Sequence, residues 1–138
     1  MLKAVLDTNV LVSGLLKRGR SGIPDQILRK IDKFELFLST DILEETQQVL
    51  HYPRIQKKYR FTEAEIQDYL DYLRAISQIV EGISTLKVIR EDPDDDMILA
   101  CAIQAQADYV VSGDPHLKRL KTYQAIQIIS PAEFLKLL

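Results

Sequence analysis

Short apolar runs alternate with segments of helical spacing along most of this chain, and that alternation restricts the fold more than any other feature. Runs such as Ala4-Val5-Leu6 and Tyr109-Val110-Val111 carry almost no polar residues, which is typical of strands buried on both faces. Such strands, separated by helices, predict an α/β fold with a central parallel sheet covered on both sides. The 138 residues contain no internal repeat or linker-like stretch, so we predict one domain, residues 1–138.

The same patterns predict the order of the elements. Capping boxes, Thr62 with Glu65 and Ser130 with Glu133, indicate where two helices begin. The predicted strands are residues 3–6, 34–38, 86–89, 109–111 and 126–129. The predicted helices are residues 10–16, 23–31, 41–50, 62–79, 97–107 and 131–137.

Composition favours a cytoplasmic protein. The only cysteine, Cys101, has no partner for an internal disulfide, which favours a reducing compartment. The longest apolar run, residues 10–16, is too short to span a bilayer, and residues 1–3 lead into a predicted strand rather than a signal peptide. We therefore predict a cytoplasmic location and no membrane partner.

The charge distribution neither indicates nor excludes a nucleic-acid partner. The net charge is −2, but phosphate binding requires a local basic patch rather than a basic average. Basic residues cluster at residues 17–20, 57–60 and 118–121. Taken alone, each cluster is interpreted as a solvated surface.

Acidic residues follow two of the predicted strands. Asp7 comes directly after the predicted strand at residues 3–6. Asp114 follows the predicted strand at residues 109–111, after two small residues. In parallel α/β sheets, ligands bind beyond the carboxyl ends of the strands. Both residues also have a structural alternative, because an aspartate before a helix can cap its free N–H groups, and Asp114 precedes Pro115 and a short predicted helix.

Helical phase selects two further acids. In the helix that carries both Glu44 and Glu45, Glu45 flanks the buried stripe and Glu44 falls on the opposite face. In the helix that follows three consecutive aspartates, Asp96 shares the side predicted to face the sheet, whereas Asp94 projects the other way. Asp94 or Asp95 is interpreted as a helix cap, and Glu45 could instead pair with a lysine at the rim.

The four selected acids would meet at one edge of the sheet. Crowded carboxylates repel and raise one another's pKa values, which costs stability unless a divalent cation is bound. Ligation by oxygen alone suits Mg²⁺ or Mn²⁺ rather than zinc, and the two histidines are isolated in the sequence. We therefore predict one metal-binding acidic pocket formed by Asp7, Glu45, Asp96 and Asp114.

Four ordered motifs resemble those of the PIN-domain nucleases. They are residues 5–11 (VLDTNVL), 39–45 (STDILEE) continuing through residue 50, 92–96 (DPDDD) with Leu99-Ala100, and 111–114 (VSGD). The match spans nearly the whole chain in the expected order. The chain is similar in particular to the bacterial and archaeal PIN proteins that act as toxins of toxin–antitoxin pairs, such as VapC.

The resemblance implies a fold and a set of residue roles. It implies a three-layer α/β/α sandwich and metal-dependent cleavage of RNA that leaves 5′-phosphate and 3′-hydroxyl ends. Asn9 and Ser112 match positions that support the site by hydrogen bonding, and Ser112 stands where many relatives have threonine. Because the aspartate run allows a shift of register, Asp95 remains a supporting residue and an alternative to Asp96. The catalytic and metal-ligand roles go to Asp7, Glu45, Asp96 and Asp114.

The resemblance also implies partners. These are an RNA substrate, a cognate antitoxin and a second copy in a homodimer, to whose surface Tyr59, Tyr69 and Tyr72 could contribute. The basic clusters at residues 17–20 and 57–60 would guide the RNA backbone toward one or two Mg²⁺ or Mn²⁺ ions.

Two alternatives remain open. A receiver-like signalling domain also gathers aspartates at a sheet edge, but it requires a phosphate-accepting aspartate after the third strand. A PIN domain that binds RNA with weak or no cleavage would keep the same fold.

Overall fold

A six-stranded sheet forms the centre of the computed structural model, which describes residues 1–19, 22–81 and 93–138, with the backbone alone for residues 93–95. The strands are β1 (Leu2–Leu6), β2 (Phe34–Ser39), β3 (Ser77–Val80), β4 (Tyr109–Val111), β5 (Thr122–Tyr123) and β6 (Ile126–Ile129). Their spatial order is β3-β2-β1-β4-β6-β5. All neighbours are parallel except β5, which pairs antiparallel with β6.

Helices flank this sheet. They are α1 (Thr8–Leu16), α2 (Ile23–Arg29), α3 (Thr40–Leu50), α4 (Pro53–Tyr59), α5 (Glu63–Ile76), α6 (Pro93–Ala105), α7 (Pro115–Leu120) and α8 (Pro131–Leu135), with one 3₁₀ turn at Ile31–Lys33. α6 packs against β1, β2, β3 and β4, while α1 packs against α2 and α3, and α2 packs against α8. This arrangement confirms the predicted α/β/α architecture around a mostly parallel sheet. No helix in the described ranges is both long enough and apolar enough to cross a membrane.

Local signals in the sequence explain where several elements begin. Thr62 and Ser130 each accept a hydrogen bond from the backbone of the third helical residue, Glu65 and Glu133, and both predicted capping boxes are complete. The sheet-forming runs are buried because they lie between two helical layers: Val5, Leu38 and Val110 are among the fully buried side chains.

The prediction for residues 62–79 was wrong at its C-terminal end. α5 ends at Ile76, and residues 77–80 form β3, which pairs with β2 in the register Leu36↔Ser77. Hydrogen bonds along this parallel ladder and the β-branched pair Ile79-Val80 favour a strand over the continuation of a helical pattern. The predicted strand at residues 86–89 lies outside the described residues.

Two elements were not predicted at all. α4 has seven residues and only Ile55 is buried, so it has little of the apolar periodicity by which a helix is recognised. β5 has two residues and is held by its antiparallel pairing with β6. Both elements depend on their neighbours in space for their stability.

Tyr69 belongs to the core. Its side chain is 2% exposed, and its hydroxyl donates a hydrogen bond to the carbonyl of Leu11, which joins α5 to α1. A Cβ added at Gly14 would come within 2.8 Å of both the Tyr69 hydroxyl and Leu28, so the absence of a side chain there permits the close packing. Of the three tyrosines considered for a dimer surface, Tyr69 therefore serves packing.

Candidate active site

The carboxyl ends of β1 and β4 place two of the predicted acids side by side. The two strands are neighbours, with Leu6 opposite Val111 in the ladder. The backbone N–H of Asp7 continues this pairing and donates a 3.0 Å hydrogen bond to the carbonyl of Val111. Asp114 lies three residues beyond Val111, at the start of α7. Both carboxylates therefore lie at one edge of the sheet.

Ser112 connects these two acids. Its hydroxyl donates a 2.6 Å hydrogen bond to Oδ2 of Asp7 and accepts a 3.0 Å hydrogen bond from the backbone N–H of Asp114. The serine is fully buried, and its bond to Asp7 is shielded from bulk water, whereas its bond to Asp114 is partly buried. Ser112 fixes the orientation of the Asp7 carboxylate and the path of the loop that carries Asp114.

The carboxyl group of Asp7 is in an environment that disfavours its charged form. Asp7 is 5% exposed, and burial raises its pKa above the usual value, with the nearby charge of Asp114 raising it further. The hydrogen bond from Ser112 and the backbone N–H groups of Asn9 and Thr8 act in the opposite direction, without reversing the shift. A buried carboxyl group with a second acid beside it is an arrangement that a bound cation would stabilise.

Asp114 has a structural role in addition to its position near Asp7. Its Oδ1 accepts a 2.8 Å hydrogen bond from the backbone N–H of His116, which caps α7. Helix capping, the structural alternative considered for Asp114, therefore engages one of its two carboxylate oxygens. Its charge also acts on Asp7, so capping does not remove it from the candidate site.

The structure separates the two glutamates of α3. Glu44 is exposed, whereas Glu45 is half-buried and its Oε2 atom is shielded from solvent. Because α3 follows β2 directly, its first turns lie at the carboxyl edge of the sheet. Glu45 is therefore the glutamate of this pair whose carboxylate is turned away from solvent.

Asp96 lies near the start of α6 and is 8% exposed. α6 leads toward β4, so its first turn lies on the carboxyl side of the sheet and its last turn on the amino side. Cys101 and Ala105, which by helical phase lie on the same side of α6 as Asp94, are buried, so this helix is covered on more than its sheet-facing side. The side chains of Asp94 and Asp95 lie outside the described residues.

Asn9 and Thr8 differ from the expectation for this segment. The side chain of Asn9 is exposed, and the group that acts on the Asp7 carboxylate is its backbone N–H. Thr8, which was not selected from the sequence, is 2% exposed, and its hydroxyl has no hydrogen-bond partner among the described residues. A polar residue placed directly after a strand-ending aspartate is the signal that could have identified it.

The donor set fits a hard divalent cation in its chemistry, since every candidate ligand is a carboxylate. Asp7, Ser112 and Asp114 are linked by hydrogen bonds and charge, while Glu45 and Asp96 approach the same edge from α3 and α6. Among the side chains that the structure describes, residues 1–19, 22–81 and 96–138, no group of three or more His, Cys, Asp or Glu is close enough together to hold a metal ion. The described structure thus brings Asp7 and Asp114 together, and it places Glu45 and Asp96 on two helices that begin at the same edge.

Comparison with known proteins gives a family and a fold. A family model described as PIN domain matches residues 3–116. The structure is similar to a chain in the crystal structure of VapBC2 from Rickettsia felis bound to a DNA fragment from their promoter, with a TM-score of 0.62 and 16% sequence identity. That similarity covers 94% of this chain and 98% of the other. Among curated proteins, no match was found.

Proposed function

The chain belongs to the PIN-domain family, and we propose that it is a metal-dependent endoribonuclease that hydrolyses RNA phosphodiester bonds. The observation that carries the proposal is the Asp7–Ser112–Asp114 arrangement at the carboxyl edge of the sheet. A buried carboxyl group with a raised pKa beside a second acid is unfavourable for folding by itself, and such groups are concentrated at functional sites. With membership of this family established, the receiver-like alternative is not retained.

The residues proposed to hold Mg²⁺ or Mn²⁺ are Asp7, Glu45, Asp96 and Asp114. When bound, the ion supplies a water of lowered pKa and neutralises charge on the phosphate. Asp7 is the least exposed of the four acids, and burial raises its pKa, so a bound cation would stabilise its charged form. Glu45 and Asp96 then provide the remaining oxygen ligands from two helices.

Side chains of this protein orient the carboxylates of the site and accept a proton during the reaction. Ser112 and the backbone N–H groups of Thr8 and Asn9 hold the Asp7 carboxylate in one orientation. Asp114 uses Oδ1 to cap α7, which leaves Oδ2 for the site. Asp95, if the third motif is shifted by one residue, takes the place of Asp96. A carboxylate in this group that is not engaged by the cation acts as the base that accepts a proton from the attacking water.

We further propose a toxin role with an antitoxin partner and a second copy of the chain in a homodimer. The fold shared with a chain of VapBC2 supports the antitoxin partner, since that protein was crystallised as VapBC2 with promoter DNA. The cytoplasmic location predicted from the single cysteine accords with this role and remains a prediction.

Cleavage of a labelled RNA pool with Mn²⁺, Mg²⁺ or EDTA tests the proposal. We expect Mn²⁺- or Mg²⁺-dependent products with 5′-phosphate ends, which Asp7→Asn abolishes and Asp68→Asn, on the exposed surface of α5, does not. A thermal shift with Mn²⁺ that is absent in Asp7→Asn provides a readout independent of activity. RNA binding without cleavage under all three conditions would favour the alternative of a catalytically weak RNA-binding PIN domain.

A further inference from the structure

The segment from α4 to the start of α5 is basic. Its residues 53–61, called the α4 arm here, have the sequence PRIQKKYRF and contain no acidic residue. Four cations lie on it, Arg54, Lys57, Lys58 and Arg60, and all four are exposed. None of them takes part in the ion pairs found among the described residues, so their charges face solvent. In a chain of net charge −2, this concentration of positive charge is local.

Two aromatic rings lie within this charge. Tyr59 and Phe61 stack with an interplanar angle of 3° and ring centroids 5.7 Å apart. Phe61 also packs against the hydrophobic core, so the Tyr59 ring stacks on a side chain that the core holds in place. The ammonium group of Lys58 lies 5.4 Å from the centroid of the Tyr59 ring. A flexible lysine is the group that covers the ring, and it can move aside for a nucleobase while retaining a nearby phosphate.

Arg60 has a backbone conformation that does not favour arginine. It lies in the left-handed region with φ of 52° and ends α4. Glycine occupies this C-terminal position at the lowest cost, since a residue with a Cβ loses about 1 kcal/mol there. The conformation places a cation directly between Tyr59 and Phe61 in the sequence. Because glycine is favoured in this conformation, Arg60→Gly can remove the cation without strain in the backbone.

The chain topology predicts that the α4 arm lies toward the edge of the sheet that carries the candidate active site. The ring of His51, after α3, is hydrogen bonded to Glu63 in the first turn of α5, which holds the two ends of the arm together. α5 then passes α1 at the Tyr69–Leu11 contact and leads directly into β3. A helix that enters a parallel strand runs toward the amino edge of the sheet. The start of α5 and the attached arm therefore lie toward the carboxyl edge, where Asp7 is.

We propose that the α4 arm is a docking surface for single-stranded RNA, with Tyr59 as a stacking platform for a base and the four cations as contacts for the flanking phosphates. Aromatic faces interleaved with basic side chains are the general means of binding single strands without sequence preference. The inference rests on the proposed function and adds to it a surface on this chain that would contact the unpaired bases of the substrate.

Fluorescence anisotropy with a labelled oligouridylate of about 12 nucleotides in EDTA tests this surface without cleavage. For Lys57→Gln/Lys58→Gln, we expect the slope of log affinity against log salt to fall by about 1.4, or ~0.7 for each lost phosphate contact. The matched control is Lys30→Gln/Lys33→Gln, which removes the same charge next to Phe34 at the amino edge. Equal slopes for the two double variants would overturn the proposal.

Two single variants separate charge, stacking and folding. Arg60→Gly relieves the left-handed strain, so we expect it to melt at or near the wild-type temperature and yet bind the oligouridylate more weakly. Tyr59→Leu keeps an apolar contact with Phe61, and we expect its affinity to fall by about fivefold or more. Wild-type affinity in both variants would contradict the assignment.

Competition distinguishes RNA from an acidic protein segment. Polyglutamate of the same charge is expected to displace the oligouridylate poorly, and duplex RNA is expected to bind more weakly than the single strand. Equal competition by polyglutamate, combined with no effect of Tyr59→Leu, would assign the arm to an acidic protein and overturn the RNA proposal. Because RNA binding is measured without metal, it can be interpreted whether or not the protein cleaves RNA. A failure of metal-dependent cleavage would contradict the proposed function alone.

Discussion

The hydroxyl of Ser112 lies 2.6 Å from Oδ2 of Asp7, although the two residues are 105 positions apart in the chain. The contact exists because β1 and β4 are adjacent parallel strands whose carboxyl ends meet at one edge. The same hydroxyl accepts a hydrogen bond from the N–H of Asp114, so one small side chain organises both acids. The orientation of both acids therefore depends on the hydroxyl oxygen of Ser112.

Loss of that hydroxyl should reduce activity without unfolding the protein. Ser112→Ala removes the donor to Asp7 and the acceptor for Asp114, and we expect a roughly 10- to 100-fold fall in kcat/KM, as is usual for residues that orient metal ligands. Ser112→Thr restores the hydroxyl and should recover most of the rate, with melting curves showing whether its extra methyl fits this buried position. An equal loss in both variants would indicate a packing effect.

Asp7→Asn should stabilise the metal-free protein at neutral pH. The folded state raises the pKa of Asp7, so this group favours folding below its unfolded pKa of 3.8, and that contribution is lost as the pH rises through the folded value. The amide cannot ionise, and a gain of ~1 kcal/mol would raise Tm by about 3 °C at pH 7. Melting in EDTA between pH 3.5 and 8 measures this, and a difference that does not shrink toward low pH would contradict it.

Asp114 can be tested for its two roles separately. Asparagine caps helices about as well as aspartate does, so Asp114→Asn should preserve α7 and remove the charge near Asp7. We expect this variant to keep the wild-type Tm within about 2 °C and to lose Mn²⁺-induced stabilisation. Asp114→Ala should lose the cap as well and melt lower. Full Mn²⁺ stabilisation of Asp114→Asn would remove this residue from the metal site.

The adjacent glutamates of α3 form an internal control. Glu45→Gln should lower kcat/KM by about 100-fold or more, because its shielded carboxylate is proposed as a metal ligand. Glu44→Gln makes the same chemical change on the exposed face and should leave activity unchanged. Comparable losses in the two variants would place the metal elsewhere than on the inward side of α3.

The His51–Glu63 contact should stabilise the protein more in mild acid than in mild base. The hydrogen bond to Glu63 raises the pKa of His51, with a further contribution from the carbonyl of Gln47. A raised histidine pKa contributes its full stability below the unfolded value of 6.5 and loses it as the pH rises through the folded value. We therefore expect His51→Gln to lower Tm at pH 5.5 and to have little effect at pH 9. Equal effects at both pH values would indicate a role independent of charge.

Much of the fold could be predicted because its signals are local. The apolar runs that form β1, β2, β4 and β6 can be recognised from their composition. The capping boxes at Thr62 and Ser130 depend on residues within four positions of each other. The end of α5 could not be predicted, because residues 77–80 continue a helical pattern and become a strand only by pairing with β2. α4 was missed because it buries little apolar surface.

For the site, the sequence by itself determined which residue types were available and, through the four motifs, the family to which they belong. Helical phase was sufficient to separate Glu45 from Glu44, since that choice depends only on the geometry of one helix. The tertiary structure alone decided that Ser112 joins Asp7 to Asp114, and that the Asn9 side chain faces solvent. Strand order sets which distant residues meet, and strand order is a property of the whole packed sheet rather than of any one segment.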